Sequence, residues 1–455
     1  MSVGHYIGAI IVLLLIIILG LYSAKKANQN SFSGGKTATG VVVMGALIGT
    51  LVGGSSTIGT AQLAYSYGFS AWWFTLGGGI AVLFLGLLYT KNFYEKGLST
   101  LPELIEKEYG KSNSNLVTIL NSAGTFLSVV AQIISATALI TAITNMDSVW
   151  AIIISIFVVL AYVIFGGALS LGYAGTLKTV LLSISVMACG MLAIRQSGGF
   201  PAFTDTLDKS KYFSLVARGP AVDLGAGLSL IVGVLTTQSY VSAIVMAKDK
   251  KEINVGTIIT ALLVPLIGVA GIFVGMYMKI NYPDINSKLA LPLFILNEMP
   301  DLIGGIMLGT LLLAVIGTAA GLSFGMAKMY YKNFLEKKNT NEIFSIRLII
   351  VIVLAAAGVL SYGEFGQYIL NWSFLSMGLR GAVAFIPIIT ALYCPGRINK
   401  KYATAAIIAG PIITFAGKFA LPASIDSLFP GIAASLVIML AGLFAGNGEV
   451  STGGK

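Results

Sequence analysis

Long apolar segments recur along the whole chain and leave little room for a polar face. The stretches 10–19, 151–164 and 348–357 are the centres of such segments. A helix in water keeps a polar face, whereas about 20 consecutive apolar residues make a helix that crosses the hydrocarbon core of a bilayer. The pattern therefore predicts an all-α, polytopic membrane protein.

Thirteen membrane-spanning helices can be counted in this pattern. The first has no Lys or Arg before it and Lys25 and Lys26 directly after it, which favours a retained span over a cleaved signal peptide. The loops 196–222 and 280–301 are long enough to hold short helices. The predicted spans are 5–24, 38–65, 70–90, 114–144, 149–169, 173–195, 223–247, 254–279, 302–327, 344–361, 366–393, 402–418 and 428–446.

Positive charges fall unevenly between the two sides of these spans. With the N-terminus outside, the cytoplasmic segments and span ends hold 20 of the 28 Lys and Arg residues, the outside holds 7, and Arg380 lies within a span. Basic residues concentrate on the cytoplasmic side of membrane proteins. We therefore expect an N-out, C-in protein of the cell (cytoplasmic) membrane, whose net charge of +10 needs no nucleic-acid partner.

Composition excludes several classes of site. The chain is 56% hydrophobic and only 10% charged, and its 2 cysteines and 1 histidine suit neither a disulfide framework nor a histidine-rich metal centre. No acid cluster, nucleophile motif or cofactor fingerprint lies in the spans. We therefore predict that the chain is not an enzyme and has no obligate protein partner.

Two spans carry residues that interrupt a helix. The second contains Gly53-Gly54-Ser55-Ser56-Thr57, and the seventh contains Gly233 followed by Thr236-Thr237-Gln238. Adjacent glycines and hydroxyls lower helix propensity, and unwound backbone in a bilayer lines protein or a watery cavity. The alternative interpretation is that the small residues only allow close helix packing.

If each break opens a unit of five helices, the two units insert with opposite orientation, because five is odd. This inverted repeat is typical of secondary transporters, which bind their solute near the breaks. The predicted organisation is an extra helix and loop (1–37), a first repeat (38–195), an extracellular loop (196–222), a second repeat (223–393) and two C-terminal helices (394–455).

Polar residues at the breaks and within apolar helices are the candidates for solute binding. The hydroxyls can instead bond to their own helix, Gln132 can bond across helices, and Tyr240 can simply pack. Arg380 is a charge deep within a span, and it can bind a carboxylate of the solute or brace the helices through a partner such as Glu364. The candidates are Ser55, Ser56, Thr57, Gln132, Thr237, Gln238, Tyr240 and Arg380.

Four segments, taken in order and at their spacing, carry a family resemblance. They are GTLVGGSSTIG at 49–59, TLPEL at 100–104, AKDK at 247–250 and GTAAG at 317–321. With them, residues from about 40 to 420 resemble the sodium:solute symporter family. The resemblance implies a five-plus-five inverted repeat preceded by one helix, with broken first and sixth core helices.

The resemblance also implies a sodium site between the first and eighth core helices. Its oxygen ligands would be the carbonyls of Gly49, Val52 and Ala314 and the hydroxyl of Thr318, which suit a hard cation. The chain departs from the family pattern on both sides of this site. Gly317 replaces a hydroxyl residue, and Ala174-Gly175 replaces a Thr-Asp pair.

Lys178 lies one turn beyond the missing Asp, on the same helical face. Its ammonium can occupy the place of sodium and exchange a proton, or its side chain can extend to the cytoplasmic interface. The sequence thus predicts a symporter that imports a small polar solute by alternating access, driven by a cation gradient, with sodium expected. The alternative is a proton-coupled or uncoupled transporter with Lys178 in the cation site, and an ion channel is the more distant possibility.

Overall fold

The computed structural model describes residues 2–26, 36–144, 146–164, 168–338, 340–362, 369–422 and 425–445. Over these ranges the structure is helical, with one isolated β-bridge between Ala38 and Ala247. Glu364, a predicted partner of Arg380, falls outside the described residues.

The first eight helices include a broken pair. The break lies between α2 and α3, where a π-helical turn, Ser55–Gly59, follows three residues outside the helix. The short α5 begins at a capping box formed by Thr100 and Glu103. These helices are α1 (Val3–Lys26), α2 (Gly40–Leu51), α3 (Thr60–Tyr67), α4 (Trp73–Tyr89), α5 (Leu101–Tyr109), α6 (Lys111–Thr144), α7 (Ser148–Ile164) and α8 (Ala168–Gln196).

The remaining helices include a second broken pair, α11 and α12, bent by 50°. The two predicted long loops do carry short helices, namely α9 and α10 in the first loop and α14 in the second. The helices are α9 (Phe200–Thr206), α10 (Lys209–Tyr212), α11 (Pro220–Leu235), α12 (Gln238–Val245), α13 (Lys250–Asn281), α14 (Ala290–Glu298), α15 (Asp301–Tyr330), α16 (Glu342–Ser361), α17 (Ile369–Tyr393), α18 (Lys400–Ala420) and α19 (Leu428–Phe444).

The helices support the prediction of a multi-pass membrane protein. Each predicted span overlaps a helix or a broken helix. Within the described residues, 7 helices are long and apolar enough to cross a bilayer, and the bent pair α11–α12 can be an eighth. Shorter apolar helices, among them α2 and α19, add to these. The count of thirteen crossings, their orientation and the domain bounds stay predictions.

The order of elements repeats, and the repeat brings both breaks together. The broken pair α2–α3 is followed by α4, α6, α7 and α8, and the pair α11–α12 by α13, α15, α16 and α17. In the centre, α2 packs against α8 and α13, α6 against α15 and α17, and α11 against α4 and α17. Both breaks therefore lie among α6, α8, α15 and α17.

Small residues allow part of this packing, as the alternative interpretation expected. A Cβ atom on Gly175 of α8 would lie 2.2 Å from the Gly45 carbonyl oxygen of α2, so the two backbones touch. Different glycines therefore serve close packing and helix breaking. Gly45 lies in the intact part of α2, whereas Gly53 lies at its break.

The two ends of the molecule differ. At the end predicted to be cytoplasmic, the amides of Thr37 and Ala38 donate to the Met246 carbonyl at 3.1 and 2.9 Å, and the Lys248 amide donates to Ala38 at 2.8 Å. The Gly40 amide donates to the Glu252 carboxylate close by. At the other end a cavity of about 520 Å³ lies between α11, α17, α18 and α19.

Candidate functional site

The first break is held by side chains from two other helices. The Gln132 amide of α6 accepts a hydrogen bond from the Gly54 amide at 2.9 Å and donates to the Ser55 hydroxyl at 3.1 Å. Ser55 in turn lies 2.6 Å from the Ser373 hydroxyl of α17. A backbone amide that leaves the helix is thereby satisfied without water, which a bilayer interior requires.

The glycines of this break are needed for close approach. A Cβ on Gly53 would lie 2.5 Å from the Thr318 hydroxyl and 2.6 Å from the Gln132 carbonyl oxygen, and a Cβ on Gly54 would lie 2.3 Å from the Ser135 Cβ. Side chains do not approach one another at these distances. The break is therefore packed directly against α6 and α15.

Polar groups of the second break bond to α6 and α17. Between α11 and α12, the Thr236 carbonyl accepts from the Asn121 amide at 2.7 Å. The Thr237 hydroxyl donates to the Gly233 carbonyl and accepts from Nη1 of Arg380, both at 2.5 Å. Arg380 on α17 thus reaches across to the second break.

Arg380 is fully buried, with 0% of its surface exposed. Its Nη2 atom donates to the Ser128 hydroxyl at 3.0 Å and to the Ser376 hydroxyl at 3.1 Å, and its Nε atom donates to the Ser376 carbonyl at 3.2 Å. These acceptors are all neutral. Among the residues that the structure describes, no carboxylate pairs with this guanidinium.

Four of the predicted solute residues come together, and others do not. Ser55, Gln132, Thr237 and Arg380 form one polar region between the breaks. The hydroxyl of Ser56 accepts from the Gly53 amide at 2.8 Å, and the Thr57 hydroxyl donates to the Gly53 carbonyl at 2.8 Å, so both are bonded to their own helix.

Gln238 lies apart from this polar region, whereas Tyr240 lies beside it. Gln238 accepts from the Leu101 amide at 2.9 Å and donates to the Ser99 carbonyl at 2.9 Å, so its amide ties α12 to the start of α5. Tyr240 is buried and lies within electrostatic range of Arg380. Of these two, Tyr240 alone adjoins the polar region.

Sequence reasoning missed Ser128, Ser373 and Ser376. The spacing holds a signal for two of them. Ser128 precedes Gln132 by four residues on α6, and Ser376 precedes Arg380 by four residues on α17, so each serine lies on the same face as a residue already singled out.

The predicted cation ligands surround the ammonium of Lys178. Its Nζ atom lies 2.6 Å from the Gly49 carbonyl oxygen, 2.7 Å from the Ala314 carbonyl oxygen and 2.9 Å from the Thr318 hydroxyl. The Thr318 hydroxyl is also 3.3 Å from the Val52 carbonyl. An ammonium has three N–H donors, and here each has an acceptor.

The departures at Gly175 and Gly317 lie on either side of this lysine. Gly175 lets α8 touch α2, and a Cβ on Gly317 would lie 3.4 Å from Cδ and 3.5 Å from Nζ of Lys178, with the Tyr162 hydroxyl at 3.7 Å. Lys178 is 0% exposed, so its side chain turns inward and not to the membrane surface. The oxygens suit a sodium ion chemically, but Nζ occupies the space between them.

Comparison with known proteins agrees with this architecture. The model of the "Sodium:solute symporter family" matches residues 31–410. The human high affinity choline transporter 1 is 23% identical over 452 residues, covering 90% of this chain and 76% of that protein. The sodium/glucose cotransporter 2 of Rattus norvegicus is 21% identical over 469 residues, covering 89% and 69%.

A solved structure shows the same fold. The substrate-bound, outward-open structure of a Na⁺-coupled sialic acid symporter superposes with a TM-score of 0.81 at 18% identity, covering 98% of this chain and 97% of that one. Since the family model spans most of the chain, the protein is a transporter and not an enzyme. With its broken helices and central polar region, this chain belongs to the sodium:solute symporter family and is a secondary active symporter of a small-molecule solute.

Proposed function

We propose that this symporter imports a small polar solute across the cytoplasmic membrane, and that the Lys178 ammonium takes the place of sodium between α2 and α15. The solute site is the polar region of Ser55, Gln132, Thr237 and Arg380, joined by the missed serines. Each solute residue comes from a break or from a helix packed on one, which suits alternating access around a central site.

The observation that carries the proposal is the three-way contact of Nζ with Gly49, Ala314 and Thr318. A lysine ammonium and a sodium ion carry the same charge, and both are bound here by carbonyl and hydroxyl oxygens. Because Nζ lies 2.6–2.9 Å from each oxygen, no second cation fits among them. The geometry favours Lys178 as the occupant of this cation site, and the sodium coupling of the family would then use another site.

Sodium binding to the purified protein tests this directly and needs no knowledge of the solute. We expect no saturable binding of radioactive sodium to these ligands in the wild type. Lys178→Met keeps most of the aliphatic chain and removes the ammonium, and we expect it to bind sodium. Lys91→Met, the same change at an exposed lysine, is the control and should behave as the wild type.

A clear result would contradict the proposal. If the wild type binds sodium and Thr318→Val abolishes that binding, then sodium displaces Lys178 from these ligands. If wild-type sodium binding survives both Thr318→Val and Lys178→Met, the ion binds elsewhere, and the assignment of Lys178 to this site stands.

A further inference from the structure

The interior of this protein carries more positive than negative charge. Among the described residues, Asp223 is the single buried carboxylate, and the Arg218 guanidinium pairs with it at 2.6 Å. Lys328 is buried within electrostatic range of Glu103 and Glu342. Within the described ranges, the partners of buried Lys178 and Arg380 are all neutral.

The two unpaired cations differ in how fully they are satisfied. All three donors of Lys178 point to oxygens, two of which are fixed backbone carbonyls. Arg380 depends mainly on the hydroxyls of Ser128, Thr237 and Ser376, each of which belongs to a different helix or break. A hydroxyl can rotate and either accept or donate a hydrogen bond, so these partners can rearrange around an incoming group.

A buried charge without a counter-charge is costly, and in membrane proteins such charges mark solute or ion pathways. The structure places Arg380 between the two breaks, within the solute site proposed above. The guanidinium is a planar fork of donors that matches the two oxygens of a carboxylate. Its serine neighbours can then donate to the carboxylate oxygens in place of accepting from arginine.

We propose that the solute is a small carboxylate whose anionic group binds Arg380. This inference rests on the proposed position of the solute between the breaks. It also separates this chain from the choline transporters among its relatives, because choline carries a positive charge. Within the described part of the polar region, no acidic side chain is present to receive a cation.

The test is thermal unfolding of the purified protein with matched probes. The probes are potassium salts of lactate, benzoate and nicotinate, each beside its neutral amide, together with potassium phosphate and choline chloride. We expect at least one carboxylate to raise the Tm by several degrees, because a ligand stabilises the state it binds. Its amide, phosphate and choline should leave the Tm unchanged.

Variants assign the effect to the site. Arg380→Gln should abolish the shift, Arg380→Lys should retain part of it, and Lys91→Met, at an exposed lysine, should keep it. Ser128→Ala, which leaves the charge in place, should weaken the shift without abolishing it, and it serves if Arg380→Gln does not fold.

The inference is overturned if no carboxylate stabilises the protein, if an amide or choline does so equally, or if Arg380→Gln keeps the shift. Gln132→Ala separates the role of the Arg380 charge from the position of the solute between the breaks. A shift that is lost in Gln132→Ala but kept in Arg380→Gln leaves the solute between the breaks and refutes only the role of the charge. A shift kept in both variants refutes the solute position itself.

Discussion

At the scale of single residues, Arg218 and Arg380 show how differently this chain treats a buried guanidinium. The Nε atom of Arg218 donates to the Asp223 carboxylate at 2.8 Å, and the Ser70 hydroxyl donates to the same oxygen at 2.6 Å. This pair fixes the end of the loop before α11. In the part of the chain that the structure describes, the acceptors of Arg380 are neutral and leave its charge available to a ligand, whereas the charge of Arg218 is already compensated.

The Arg218–Asp223 pair should therefore stabilise the fold. Asp223→Asn keeps the shape of the side chain but leaves Arg218 without its counter-charge in a buried place. Breaking a buried pair in this way costs roughly 3 kcal/mol, which we expect to appear as a lower Tm of the purified protein. Asp205→Asn, at an exposed aspartate in the same loop, should leave the Tm unchanged, and equal Tm values for the two variants would contradict the argument.

Sequence alone identified the residues at this scale that stand out from their helices. Gln132 and Arg380 are each a lone polar group in an apolar segment, whereas Lys178 stood out by its place beside the missing Asp. All three prove to be buried and bonded across helices. Serines were harder to interpret, because a hydroxyl in a helix can bond to the carbonyl four residues earlier, as Ser135 does with Ala131. Only the fold shows that Ser128 and Ser376 bond elsewhere.

At the scale of elements, the two breaks are built differently. The first leaves the helix over three residues and resumes with a π-helical turn, and its glycines are packed against α6 and α15. The second is a 50° bend whose freed carbonyl at Thr236 is bonded by Asn121. The sequence predicted both positions from glycines and hydroxyls. It could not supply the packing, because the partners are more than 70 residues away along the chain.

Gly54→Ala tests whether the first break needs close packing. Its added Cβ would lie 2.3 Å from the Ser135 Cβ, so α6 must move, and overpacking of this kind costs about 1–3 kcal/mol. Gly271→Ala on α13 is the matched control, since its Cβ meets nothing nearer than 3.8 Å. There the better helix propensity of alanine should stabilise the protein slightly.

The readouts for this pair of variants are the Tm and the shift produced by a stabilising carboxylate. We expect Gly54→Ala to lower both and Gly271→Ala to lower neither. A Gly54→Ala protein that melts and responds as the wild type does would show that the break tolerates side chains. Gly53 and Gly54 would then act only by lowering the helix propensity of this segment.

At the scale of the whole molecule, one end is fastened and the other holds a cavity. The fastening joins the chain before α2 to the end of α12 through three backbone hydrogen bonds, and Glu252 of α13 holds the Gly40 amide. Near it lies a space of only about 30 Å³, lined by Thr50, Ser242 and neighbouring residues, enough for a water molecule. On the predicted orientation, the solute site is closed to the cytoplasm.

Cysteine labelling with a membrane-impermeant thiol reagent tests both the orientation and the closure. In a Cys394→Ser background, Asn371→Cys lies at the exposed wall of the large cavity and should be labelled in intact cells. Labelling of this variant only in inside-out vesicles would reverse the predicted N-out orientation. Cys189 is buried and should contribute no background.

Ser242→Cys, beside the small space at the fastened end, should resist the reagent from both sides. Adding Glu252→Ala removes the carboxylate that holds the Gly40 amide, so the start of α2 can separate from α13 and expose position 242. Labelling of the double variant should then rise several-fold in inside-out vesicles and stay low in intact cells. If it does not rise, backbone hydrogen bonds between Ala38 and Met246 suffice to keep this end closed, and Glu252 has no part in opening it.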